Sequence, residues 1–114
     1  MQLTFFLKAF LALAQETRLA AYRLLVKAGP LGLAAGEIAE ALGVNPSTLS
    51  RHLAQLERAK LLRSWRVQRQ VRYAIDWQGT NQLLRFLLED CCQADPAIWP
   101  AEPPPADDPL ATEP

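Results

Sequence analysis

A four-residue stretch, Gly43-Val44-Asn45-Pro46, constrains this chain more tightly than any other. Glycine ends a helix readily, asparagine offers a side-chain oxygen to the first N–H groups of the next helix, and proline suits the first helical position, where its missing donor leaves nothing unpaired. Two helices must therefore meet here across a tight turn. Upstream, Ala35 to Leu42 places Ile38, Ala39 and Leu42 on one face. Downstream, Leu49, Leu53 and Leu56 fall within about 60° of one another at roughly 100° per residue. Ser47, Arg51, Ala54 and Arg58 then point the opposite way, with Thr48 and Gln55 on one flank, so the exposed face of the second helix is polar and partly basic.

The segments on either side complete a pattern. Leu3, Phe6, Leu7, Phe10, Leu11 and Ala14 repeat at helical spacing and predict a first helix over about 3–14. Leu19, Tyr22, Leu25 and Val26 predict a second over about 16–28, stopped by Gly29-Pro30. From Leu62 the period falls to two: Val71, Tyr73 and Ile75 alternate with Gln70, Arg72 and Ala74, as in a hairpin with strands over about 62–67 and 70–76. Its turn, near Gln68-Arg69, lacks the Asn-Gly or Asp-Gly that specifies a register. Thr80 is expected to cap a fifth helix carrying Leu84, Leu87, Leu88 and Cys91 on one side and ending near Cys92. Seven of the nine prolines follow among alanines and acidic residues, a composition that reads as an extended or unfolded tail. The expectation is a mainly α domain over 1–93, with about five helices and a two-stranded wing after a helix-turn-helix, and an acidic tail over 94–114.

Net charge is zero, which would argue against a polyanionic partner were it evenly spread. It is not. Residues 51–72 hold seven arginines and lysines against Glu57 alone, whereas 89–114 hold seven acidic residues and no basic one. The basic block coincides with the helix after the turn and the hairpin, the two elements that such a motif lays on DNA. Ser47, Thr48, Arg51 and Gln55 carry groups that match base edges, while Arg66, Arg69 and Arg72 suit phosphate. His52, at the margin of the buried stripe, reads equally as a packing residue or a phosphate contact. A solvated basic face, or a winged module that binds protein, are the competing readings; salt-dependent DNA binding separates them. Enzymatic chemistry has little support: the chain has one histidine, no Ser/His/Asp arrangement and no glycine-rich phosphate loop.

No run approaches the ~18–20 apolar residues of a membrane span. Ala12-Leu13-Ala14 imitates a signal-peptidase site, but Lys8 interrupts the preceding apolar run and no basic residue opens it, so the chain reads as cytoplasmic. The two cysteines, Cys91 and Cys92, are adjacent; Cα atoms about 3.8 Å apart sit closer than the roughly 4.4–6.8 Å of a relaxed disulfide. They read either as a small core residue with an incidental neighbour or as a thiol pair able to pinch a soft centre. No cofactor is expected to be needed for folding.

The series Leu13-Ala14-Gln15-Glu16-Thr17-Arg18-Leu19, Gly36-Glu37-Ile38-Ala39-Glu40-Ala41-Leu42-Gly43 and Ser47-Thr48-Leu49-Ser50-Arg51-His52-Leu53, with Leu56 and Ala59-Lys60-Leu61-Leu62, resembles the ArsR/SmtB family of small winged-helix repressors over about 3–93. The resemblance implies a homodimer formed by the first and last helices, operator binding, and release on sensing a ligand; Asn45, Ser50 and His52 join the candidate DNA-binding residues. The family's Cys-x-Cys on the third helix is here Ile38-Ala39-Glu40, and the His and carboxylate zinc site of the last helix has no histidine to form it. A subgroup with Cys-Cys at the end of the last helix and a third cysteine shortly after matches better, with Ile98 and Trp99 where the third thiol would stand. That resemblance implies a trivalent arsenical, inorganic or methylated, held by Cys91 and Cys92. An oxidant or persulfide sensor is the alternative, since a strained vicinal disulfide is easily reduced again, as is a regulator with no metal effector.

Overall fold

The computed structural model describes residues 3–92, with side chains over 3–89. In chain order the elements are α1 (Leu3–Leu13), α2 (Glu16–Ala28), β1 (Leu33–Ala34), α3 (Ala35–Leu42), α4 (Pro46–Arg58), β2 (Leu62–Val67), β3 (Gln70–Ile75) and α5 (Trp77–Cys92). One compact unit runs to Leu83; the remaining described residues, Leu84 to Cys92, are the later turns of α5. The acidic tail expected over 94–114 lies outside the described residues.

Leu25, Ile38, Leu49, Leu53, Leu56, Leu61, Leu62 and Ile75 form the fully buried centre, where α2, α3 and α4 meet the sheet. The tight turn works as the sequence demands. Gly43 takes the left-handed conformation at φ 65°, its N–H bonds to the Glu40 carbonyl, and the Val44 N–H reaches back to Ala39, the double closure of a Schellman ending. Asn45 then opens α4, its Oδ1 accepting from the Ser47 N–H at 2.9 Å.

Three features differ from expectation. First, Leu33–Ala34 pairs antiparallel with β3, Leu33 opposite Tyr73 and Ala34 opposite Arg72, so the wing belongs to a three-stranded sheet of order β1-β3-β2. Gly32, at φ 65°, makes this possible, because a Cβ there would lie 2.0 Å from the Tyr73 carbonyl oxygen. At the base of the wing Ala74 and Ile75, on opposite faces of β3, are both buried. The hairpin register is Leu62 opposite Ile75 through Val67 opposite Gln70, closed by Gln68 at φ 57°.

Second, α5 starts at Trp77, earlier than Thr80. Asp76 is its cap, with Oδ1 accepting from the N–H groups of Gln78 and Gly79. Thr80 is buried inside the first turns and its Oγ1 lies 2.8 Å from the Tyr22 hydroxyl, so it links α5 to α2. Burial pushes the Tyr22 phenol up, with the Thr80 hydrogen bond opposing it.

Third, the apolar stripe of α1 divides. Phe6, Ala9 and Ala12 are buried, whereas Leu3, Leu7 and Leu11 are 64%, 54% and 65% exposed. On α2 the buried positions are Ala21 and Leu25, with Leu19 and Val26 exposed. In the last turns of α5, Leu84 and Leu87 are exposed as well. Among the described residues no helix is long and apolar enough to cross a membrane.

Candidate nucleic-acid interface

α4 turns its leucines inward and leaves Ser47, Ser50, Arg51 and Arg58 exposed, with Thr48, Ala54 and Gln55 half-buried beside them. This is the face expected from the sequence. Asn45 spends its Oδ1 on the cap and also accepts from the Ser47 hydroxyl at 2.6 Å, so Ser47 presents oxygen lone pairs outward as an acceptor. The N-terminal end of a helix favours an anion, and Arg51 is exposed further along the same helix. Arg66 and Arg69 are exposed on the wing, Arg69 in the turn that joins β2 to β3.

Arg72, expected to contact phosphate, is engaged within the fold. Its Nε and Nη2 donate to the Leu31 carbonyl at 3.3 and 3.1 Å, Nη2 also to Gly32 at 3.0 Å, and Nη1 stands 3.8 Å from Glu37. The side chain is 26% exposed and ties β3 to the turn before β1. The unexpected β1, pairing with β3, brings the Leu31 and Gly32 carbonyls beside it. Arg63 is used similarly: Nη2 donates to the Pro30 carbonyl at 2.9 Å while the guanidinium lies 4.6 Å from the centre of the Trp65 ring. Glu57, the one acidic side chain of the basic block, accepts from the Ser64 hydroxyl at 2.7 Å. Burial and the Glu57 charge both raise the Tyr73 phenol.

His52 is half-buried and meets Arg18. Its Nδ1 lies 3.1 Å from Arg18 Nη1, while Arg18 Nε donates to the Ala12 carbonyl and Nη2 to Leu11 at 3.3 Å. Burial first, then the charges of Arg18 and Arg51, hold the imidazole below its ordinary value. Sequence reasoning passed over Arg18, though it left a signal: a cation in the first turn of α2 opposes the helix dipole. It is stabilised there by the carbonyl end of α1.

Among the described residues no group of three or more His, Cys, Asp or Glu side chains could hold a metal ion. The backbone of Cys91 and Cys92 forms the end of α5, but their side chains, with Ile98 and Trp99, lie outside the described residues.

Residues 13–64, which span the end of α1 through the start of β2, match the family model described as a helix-turn-helix domain. No curated protein is similar to the sequence at a significant level. Among solved structures, the chain is similar to an ArsR-like transcriptional regulator from Rhodococcus sp. RHA1, at 26% identity over 83% of this chain and 87% of that one with a TM-score of 0.68. It is also similar to the homodimeric winged helix-turn-helix DNA-binding domain of Mb0332 from Mycobacterium bovis, described as a possible ArsR-family transcriptional regulator (27% identity, 84% and 83% covered, TM-score 0.62). A third is the AntR antimony-specific transcriptional repressor (29% identity, 76% and 78% covered, TM-score 0.56). The chain therefore carries a helix-turn-helix domain and has the winged helix-turn-helix fold of the ArsR-like regulators it resembles.

Proposed function

We propose that the protein is a homodimeric transcriptional repressor that holds operator DNA through α4 and the wing and releases it when a trivalent arsenical binds Cys91 and Cys92. The observation that carries the DNA reading is the exposed face of α4, capped by Asn45 and presenting Ser47, Ser50 and Arg51 beside Thr48 and Gln55. These five read base edges or the adjacent backbone, and Arg66 and Arg69 contact phosphate, whereas Arg72 and His52 hold the framework. The exposed leucine row of α1 supports pairing with a second copy, as does similarity to a homodimeric domain. Two recognition helices set by such a pairing would read half-sites about 34–36 Å apart, one turn of duplex.

The effector reading rests on the adjacent thiols and on similarity to a repressor specific for antimony, an element as thiophilic as arsenic. Two thiols and methylarsonous acid give a dithioarsenite and two waters, so a monomethylated centre needs only the two sulfurs present. Inorganic arsenite would take a third, and the subgroup's position for it holds Ile98 and Trp99. Methylarsenite is thus the favoured effector. Binding at the end of α5 would change how two copies pair and so the spacing of their recognition helices.

The test uses a duplex selected by the wild-type protein from a random-sequence pool and titrates the preformed complex with methylarsenite, arsenite and peroxide. Methylarsenite should dissociate wild type at lower concentration than arsenite and leave Cys91→Ser and Cys92→Ser complexes intact. Dissociation of both variants by arsenicals excludes the thiols. Dissociation by peroxide alone favours an oxidant sensor.

A further inference from the structure

Arg18 is placed to do more than cap a helix. It sits in the first turn of α2, yet its side chain serves two other helices: Nε and Nη2 take the Ala12 and Leu11 carbonyls at the end of α1, and Nη1 meets His52 Nδ1 on α4. A guanidinium only donates. At 3.1 Å the histidine nitrogen must therefore present its lone pair, which fixes the neutral imidazole with its proton on Nε2. His52 directly follows Arg51 on the exposed face, and Leu11, whose carbonyl Arg18 holds, belongs to the exposed leucine row of α1. One side chain thus connects the helix with the exposed leucine row to the helix with the exposed polar face.

We infer that Arg18 is a positioning residue for DNA recognition, which acts through neutral His52 to fix α4 against α1, so that protonation of His52 unlatches the two helices and lowers affinity for a two-half-site operator. This rests on the DNA and dimer reading above. It adds to that reading the device that sets recognition-helix placement. The charged groups that bear on His52 are Arg18 from α2 and Arg51 from α4 itself, while α1 contributes the Leu11 and Ala12 carbonyls to Arg18. Both cations oppose protonation, and a protonated ring would put donor against donor. The sign separates this role from a phosphate contact, because a histidine that touched phosphate would bind DNA more tightly as it gained charge.

His52 is the one histidine in the chain, so its titration can be read without assignment ambiguity. Imidazole 15N shifts should report the Nε2-protonated form in the wild type, titrating below the ordinary histidine range. Arg18→Ala should raise that value. Affinity is then measured at pH 7.5 and about one unit below the midpoint that this titration gives, on a selected two-half-site duplex and on a single half-site cut from it, for wild type, Arg18→Ala, Arg18→Lys and His52→Asn, each shown folded by its thermal transition. Asparagine keeps an acceptor at the place of Nδ1 and cannot titrate. At pH 7.5, Arg18→Ala should lose about tenfold on the two-half-site duplex and less than threefold on the half-site, with Arg18→Lys between it and wild type. Acidification should weaken wild type relative to His52→Asn. Equal losses on both duplexes would reduce Arg18 to a structural residue, and wild-type affinity that rises on acidification relative to His52→Asn would make His52 a phosphate contact; either overturns the inference while leaving the DNA reading intact. If wild type selects no duplex at pH 7.5, the DNA reading itself fails.

Discussion

Asn45 allows the fold and the DNA reading to be tested apart at one position. Alanine there removes the acceptor of two hydrogen bonds, from the Ser47 N–H at 2.9 Å and the Ser47 hydroxyl at 2.6 Å. Replacing an asparagine N-cap with alanine costs roughly 0.5–2 kcal/mol; the cap is solvent-exposed and water takes over part of its work, so the expectation is about 1 kcal/mol. In a domain of this size that lowers Tm by roughly 4–8 °C. Aspartate keeps the acceptor and adds a negative charge where the helix dipole favours one, by about 0.3–1 kcal/mol, so Asn45→Asp should be as stable as wild type or more so. On DNA the same charge is unfavourable: a carboxylate about 4 Å from a phosphate in high dielectric costs about 1 kcal/mol, roughly fivefold in Kd. The assay pairs circular-dichroism melts at one fixed protein concentration, because dimer stability varies with concentration, with anisotropy titration of a labelled duplex. Asn45→Asp destabilised as much as Asn45→Ala would refute the capping role of Oδ1. Asn45→Asp with wild-type affinity would refute the placement of this helix end at the DNA backbone.

Two further outcomes are expected. Leu7→Glu with Leu11→Glu, both on the exposed row of α1, should give folded monomers by sedimentation equilibrium at micromolar concentration, whereas Phe6→Glu should unfold the domain because Phe6 is buried; a variant that remains dimeric would remove α1 from the interface. Arg72→Ala should lower urea-unfolding stability by about 1 kcal/mol or less, since the charged donor lost serves one part-buried and one exposed carbonyl and solvent screens it, and should leave the salt dependence of DNA binding unchanged.

Most of the fold was legible because its local signals agree. The Gly43 ending, the Asn45 cap with Pro46 and the change of period at Leu62 each rest on residues within one turn, and the helix and hairpin bounds follow. What escaped depends on distant partners. Leu33–Ala34 is too short to show a period and is a strand only because β3 has an open edge there and Gly32 allows the approach. Asp76 and Thr80 are both acceptable caps in sequence; Tyr22, 58 residues from Thr80, draws the threonine inward and leaves the start of α5 to the aspartate. The stripe of α1 gave the residues but not their division, since periodicity marks an apolar face without saying whether the same chain covers it. Arg72 and His52 carried the right chemistry for DNA and were claimed by carbonyls and by Arg18, which lie 34 to 41 positions away.

The central claim, that α4 reads DNA and the wing holds it electrostatically, is tested most directly by the salt dependence of binding to a selected and to an unrelated duplex for wild type, Arg51→Ala and Arg69→Ala. Arg51→Ala should cost about 1–3 kcal/mol on the selected duplex and little on the unrelated one, while Arg69→Ala should weaken both alike and reduce the slope of log K against log salt by about one. Wild-type affinity that does not fall with salt, or both variants binding both duplexes as the wild type does, would contradict it.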